Sequence, residues 1–245
     1  MIESQIEIAT QDGATTTFVC HPERGGPYPV IVFYMDAPAI REELRDMVRR
    51  LATVGYYVML PNLYYRSGVM ELDETSRPRM FELMDSLTIP RVMDDTRALL
   101  GFAADDEAAS DGPIGVVGYC MSGPFAINAA AVFPDRVAAA ASIYGVRLAT
   151  EADDSPHKVA GRARGELYFA CAEIDRWAPM AMVEELKAAL PRTGVKAEVE
   201  IYPGVEHGFA FPQRAAYDRD AAERHWERLF SLFRRRLGPA TTAGR

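Results

Sequence analysis

From residue 29 onward the chain alternates short, mostly apolar runs with segments whose apolar residues recur every three or four positions. Few architectures satisfy that alternation. Residues 29–35, Pro-Val-Ile-Val-Phe-Tyr-Met, present no polar side to water, as a strand covered on both faces requires. Residues 41–54 follow with Leu44, Met47, Val48 and Leu51 at helical spacing, closed by Gly55. The pattern then repeats, with strands expected at 56–60, 114–118, 137–143, 166–171 and 197–202. Helices are expected at 91–104, 123–133, 179–190 and 213–237. A parallel strand pair needs a crossover, and a helical crossover covers one face of the sheet. Upstream, residues 2–8 alternate apolar with polar, and residues 15–20 answer them across Asp12-Gly13, which reads as a hairpin. The expected class is α/β: a mostly parallel central sheet with helices on both faces and an N-terminal antiparallel hairpin. Residues 62–86 keep no steady period and are expected as loops and short helices over one end of the sheet.

No repeat, linker or second core interrupts this series, so residues 1–245 are expected to form a single domain, a size that one α/β sheet reaches. Half the residues are apolar (49%), which argues against disorder. Thirty-five acidic against 27 basic residues leave a net charge of -8. Such a surface repels phosphate backbones and anionic lipid, so neither nucleic acid nor membrane is expected as a partner. The basic run Arg234-Arg235-Arg236 reads as a solvated helix rim. No apolar stretch approaches the roughly 20 residues of a membrane span, and residues 1–8 lack the build of a signal peptide. A cytoplasmic location follows as an expectation, as does a monomer or small homo-oligomer. Cys20, Cys120 and Cys171 lie far apart and form no disulfide framework or CxxC pair. No clustered histidines suggest a metal, and no cofactor is expected.

Chemistry concentrates on three loops. Val116-Val117-Gly118-Tyr119-Cys120-Met121-Ser122-Gly123-Pro124 lies between an expected strand and an expected helix. That is the setting of a nucleophile elbow, a sharp turn that lifts a reactive side chain above the sheet and needs small residues two before and two after it. Gly118 and Ser122 meet that need around Cys120, and the helix N-terminus favours a thiolate there. Ser122 is the competing nucleophile, but its own flanks, Cys120 and Pro124, suit the crowded turn poorly. A buried structural cysteine is the plain alternative. His207 stands in a Gly-flanked loop after the last expected strand, in the chain order nucleophile, acid, histidine used by α/β-hydrolases. His21, His157 and His225 lack such a setting. Asp175 follows the preceding strand and is the better placed acid to hold the His207 tautomer, with Glu173 as its neighbour and rival. Backbone N–H groups of Met121 and of Ala37, the latter in Asp36-Ala37-Pro38, are the expected oxyanion donors.

These residues resemble the dienelactone hydrolase family of the α/β-hydrolase fold, from about residue 29 to 209. The closest correspondences are Gly118-Tyr119-Cys120-Met121-Ser122-Gly123, the Glu173-Ile174-Asp175 turn, Tyr202-Pro203-Gly204-Val205-Glu206-His207-Gly208-Phe209, and Leu60-Pro61-Asn62-Leu63-Tyr64. The resemblance implies a Cys120–His207–Asp175 triad and a small-molecule lactone or ester substrate. It also implies a fourth acidic group beside the thiol, where the family commonly has Glu and this chain has Asp36. Tyr144 resembles a family pocket position, and Trp177, Phe209 and Phe211 are candidate pocket residues beside the acid and the histidine. The family grips a substrate carboxylate with arginines, one of them shortly after the histidine. Here that stretch is Phe209-Ala210-Phe211-Pro212, with Arg214 further along, and Arg66, Arg77 and Arg79 stand in the irregular segment. The implied activity is cysteine-dependent hydrolysis of lactones or related esters; thiol chemistry, which passes through a thioester, adds an expected preference for enol and aryl esters. The alternative from another class is a non-catalytic protein of the same fold whose Cys120 binds a ligand or senses oxidants.

Overall fold

The computed structural model describes residues 1–73 and 75–238. Eight strands form one sheet in the order β1-β2-β4-β3-β5-β6-β7-β8. β1 (Ile2–Thr10) and β2 (Gly13–His21) make the hairpin, and β2 joins β4 (Tyr57–Pro61) antiparallel. β3 (Val30–Tyr34), β5 (Ile114–Tyr119), β6 (Val137–Ile143), β7 (Glu166–Ile174) and β8 (Ala197–Glu206) continue it in parallel with β4. Every residue of β3, β4 and β5 is buried, which is why these strands read as continuous apolar runs.

Helices cover the sheet as the alternation requires. α1 (Glu42–Thr53) and α7 (Arg219–Leu237) meet through the Arg50–Glu223 ion pair. α3 (Ile89–Ala104) and α4 (Gly123–Val132) take the other face, and α6 (Met180–Ala189) links β7 to β8. The pleat of β5 shows the division. Gly115 faces Phe233 and Leu237 of α7, and Tyr119 meets His225 of the same helix, whereas Gly118 faces the turn into α4. A Cβ at Gly115 would lie 2.7 Å from Phe233, so the glycine lets α7 dock closely on the sheet. No helix among the described residues is long and apolar enough to cross a membrane.

The irregular segment holds short helical pieces as expected, 3-10 turns at Tyr65–Ser67 and Arg77–Arg79 and a short helix α2 (Met80–Ser86), and a further short helix α5 (Pro156–Val159) follows β6. One local expectation is corrected: the last helix begins at Arg219 rather than at residue 213. Asp218 caps it by accepting from the Ala221 N–H at 2.9 Å. Before it, Phe211, Arg214 and Tyr217 each donate to the carbonyl three residues back. Those turns swing Arg214 back beneath the loop that carries His207.

Candidate active site

Cys120 occupies the turn between β5 and α4 with φ +56°. A left-handed conformation costs an L-residue roughly 1–2 kcal/mol, and tight packing around the turn holds it. A Cβ on Gly118 would fall 2.1 Å from the Ser122 carbonyl oxygen, and one on Gly123 2.5 Å from Gly145 Cα. Only glycine permits these approaches. Ser122 is fully buried; its hydroxyl accepts from the Tyr119 N–H at 2.9 Å and lies 3.2 Å from the Tyr34 carbonyl. It braces the turn. Cys120, in contrast, is partly exposed and lines a cavity of about 320 Å³ together with His207 and Ala37. Cys20 and Cys171 are buried, and burial pushes their thiols up to about 11 and about 12.

His207 follows β8 and Asp175 follows β7, adjacent strands whose ends bring the two side chains together. His207 Nδ1–H donates to Asp175 Oδ2 at 2.6 Å. The other carboxylate oxygen accepts from the Trp177 and Ala178 N–H groups at 2.8 and 3.0 Å, so an Asx turn fixes the acid before the ring arrives. Glu173 does something else: it is exposed and accepts from the Gly204 N–H at 2.7 Å, tying the ends of β7 and β8. His207 Nε2 is buried and makes no hydrogen bond to the described residues; the ring and Cys120 line the same cavity. Burial lowers the imidazole, but the bond to Asp175 and the attraction of Cys120 outweigh it and raise the ring to about 9.

The expected oxyanion residues flank the sulfur. Ala37 lines the cavity and Met121 is the second residue of the 3-10 turn Cys120–Ser122, where N–H groups have no intrahelical acceptor. Buried Tyr64 links them, with its hydroxyl 3.0 Å from the Ala37 carbonyl and 3.2 Å from Met121 Sδ. Its segment was visible as a family resemblance, but nothing in the sequence indicated this bridging role.

Asp36 takes a different place from the one the resemblance implies. Its carboxylate is fully buried and held by Arg41, at 2.6 and 3.3 Å, and by Arg214. Among the described residues it has no hydrogen bond to Cys120. Two guanidinium groups claim its oxygens, and its side chain is one methylene shorter than Glu. Tyr144, Phe209 and Phe211 are likewise fully buried and do not line the cavity. Tyr144 packs edge-on against His207 at 4.9 Å and against Phe209 at 5.2 Å. Phe211 carries the guanidinium groups of Arg41 and Arg214 at 4.8 and 4.7 Å. These aromatics position the ring and the arginines. Trp177 alone of the four lines the cavity, at its rim beside Phe81, with ring centroids 5.6 Å apart.

Of the arginines in the irregular segment, Arg66 is engaged by Asp12 and Asp95, and Arg79 by Glu82. The cations that reach the cavity are Arg214 and Arg147. Arg147 carried no sequence signal. Its φ of +54° and its ion pair with Asp85 at 2.7 Å exist only in the folded chain. No cluster of three His, Cys, Asp or Glu among the described residues is arranged to hold a metal ion.

A Cys-bearing turn after β5, with an acid and an imidazole after the last two strands of this sheet, defines the α/β-hydrolase fold. The model of the dienelactone hydrolase family matches residues 15–237, and the chain belongs to that family: it is a hydrolase of the ester and lactone class. It is 28% identical over 238 residues to a protein of Methylorubrum extorquens provisionally named carboxymethylenebutenolidase, covering 96% of this chain and 81% of that one. A Synechocystis protein with the same provisional name is 27% identical, over 95% of this chain and 96% of its own. A crystal structure from Klebsiella pneumoniae, provisionally described as a dienelactone hydrolase, shares the fold with a TM-score of 0.85 at 24% identity. The match covers 95% of this chain and 98% of that one.

Proposed function

We propose that the protein hydrolyses small lactones or activated enol and aryl esters with Cys120 as nucleophile, acting as one domain in the cytosol. The observation that carries this reading is a single cavity holding the Cys120 sulfur beside an imidazole whose far nitrogen is locked onto Asp175 at 2.6 Å. The ring, raised to about 9, is the group that takes the thiol proton, and the sulfur attacks as a thiolate. A C–S bond forms at the carbonyl carbon, and the oxyanion sits between the N–H groups of Ala37 and Met121. The C–O bond then breaks and the leaving oxygen takes the proton from His207 Nε2. The neutral ring next removes a proton from water, which attacks the thioester. Sulfur departs as thiolate, and the acid product and a reprotonated ring remain. The three free cysteines support a reducing compartment.

A thiolate is itself a good leaving group, so the tetrahedral intermediate returns to substrate unless the oxygen leaves as readily. Enol lactones and aryl esters are therefore preferred over alkyl esters and amides. The test is hydrolysis of an aryl acetate before and after thiol alkylation, and by Cys120→Ala. Loss of activity in both supports the reading; equal turnover by the alkylated, variant and untreated proteins rejects it.

A further inference from the structure

A second cavity of about 170 Å³ adjoins the catalytic one, and the two share Met84, Val146 and Arg147 as a common wall. Beyond that wall Leu87, Ile89 and Phe125 line it. Of its polar residues, Ser155 and the Thr150 backbone are satisfied, and the partly exposed Asp154 adds one carboxylate to the wall. Thr150 N–H donates to Ser155 Oγ at 2.9 Å, and that hydroxyl pairs with His157 Nδ1 at 2.8 Å. The one cation on the shared wall, Arg147, is paired with Asp85. An occupant therefore gains from apolar contact, and the Asp154 carboxylate disfavours a negative charge on it.

The chamber's position identifies which part of a substrate enters it. Met121, expected to hold the oxyanion, belongs to the chamber wall, whereas His207 does not. The leaving oxygen must face His207 to receive its proton. What extends past Met84 and Val146 is thus the acyl side of the carbonyl. We propose that the second cavity is an acyl subsite that takes a hydrocarbon arm without a negative charge. Resting on the cysteine-hydrolase reading, this makes the substrate class esters of short- to medium-chain acids, or lactones bearing such an arm, rather than compact ring lactones alone.

The experiment keeps the leaving group constant and varies the arm: kcat/KM for 4-nitrophenyl acetate, butanoate and hexanoate. Each buried methylene is worth up to about fourfold, so the wild-type protein is expected to gain at least about tenfold from acetate to hexanoate. Ala152, exposed and on the chamber wall, provides the block. Ala152→Trp should remove that gain and leave acetate turnover within about twofold, with Leu87→Trp as an independent second block. A flat wild-type series, or a gain that survives both substitutions, overturns the proposal. Should no ester be turned over, or should Cys120→Ala be as active as wild type, the catalytic reading fails separately. The chamber is then judged by calorimetric binding of the same esters to Cys120→Ala. At least about tenfold tighter binding of hexanoate than acetate supports the subsite, and equal affinities reject it.

Discussion

Replacing Asp175 with Asn tests the electrostatics of the site with almost no change of shape. The carboxylate is the principal group holding a proton on a buried ring: it lies 2.6 Å from Nδ1, and the imidazole stands at about 9 against an ordinary 6.5. That rise corresponds to about 3 kcal/mol favouring the protonated form, at 1.36 kcal/mol per unit, and it is net of a burial effect working the other way. Loss of the neighbouring charge should lower the ring by about 1–3 units. The assay is NMR titration of the four histidine rings, with His207→Gln identifying the resonance. His225, driven by burial down to about 3, stays silent across the neutral range. A folded pKa above the unfolded one stabilises the protein fully below 6.5, and that contribution is lost as pH rises through about 9. Urea unfolding of the wild type should therefore weaken between those values by up to about 3 kcal/mol, and less in Asp175→Asn. The variant's kcat/KM should fall by about three to four orders of magnitude, as loss of an orienting acid does elsewhere. A wild-type midpoint at or below 6.5, or one that Asp175→Asn leaves unmoved, would refute the reasoning.

Other substitutions probe the frame around Cys120, His207 and Asp175. Asp36→Ala leaves the guanidinium groups of Arg41 and Arg214 without their buried partner and should cost about 3–5 kcal/mol in urea unfolding; a change below about 1 kcal/mol would contradict the clamp. Gly118→Ala must displace the Ser122 carbonyl 2.1 Å away and should lose at least about 1–3 kcal/mol. Gly101→Ala in α3, where nothing lies within 4 Å, should gain about 0.5–1 kcal/mol. Glu173→Gln should keep kcat/KM within about twofold, since its contact is with the Gly204 N–H; a loss comparable to that of Asp175→Asn would exchange the roles of the two acids.

How much of this was legible depended on whether the signal was local. β3, β4 and β5 follow from their continuous apolar runs, because strands covered on both faces must be apolar throughout, whereas the hairpin and the edge strand β8 follow from alternation of apolar and polar residues. Cys120, Asp175 and His207 were legible because each lies in a turn directly after a strand, where position along the chain fixes position in space. Side-chain direction was not legible. Phe209 and Phe211 follow the histidine as closely as pocket residues would, yet the turns through residue 217 send them inward and bring Arg214 back to Asp36. Asp36 stood at the expected place with the expected charge, but its partners Arg41 and Arg214 come from two distant segments. Arg147 reaches the cavity through a left-handed backbone that its sequence does not announce, and α2 lies across the rim on the strength of contacts between segments far apart in the chain.

The central claim is that the substrate's acyl group passes through a covalent bond to one sulfur. Rapid acid quenching of the protein with an aryl ester, followed by intact and peptide mass spectrometry, tests it directly. The account predicts a transient mass increase of one acyl group on the peptide containing Cys120, sensitive to hydroxylamine and prolonged in Asp175→Asn. Turnover with no acyl group on that peptide at any time, or an acyl group on another residue in a protein that remains active as Cys120→Ala, would contradict it.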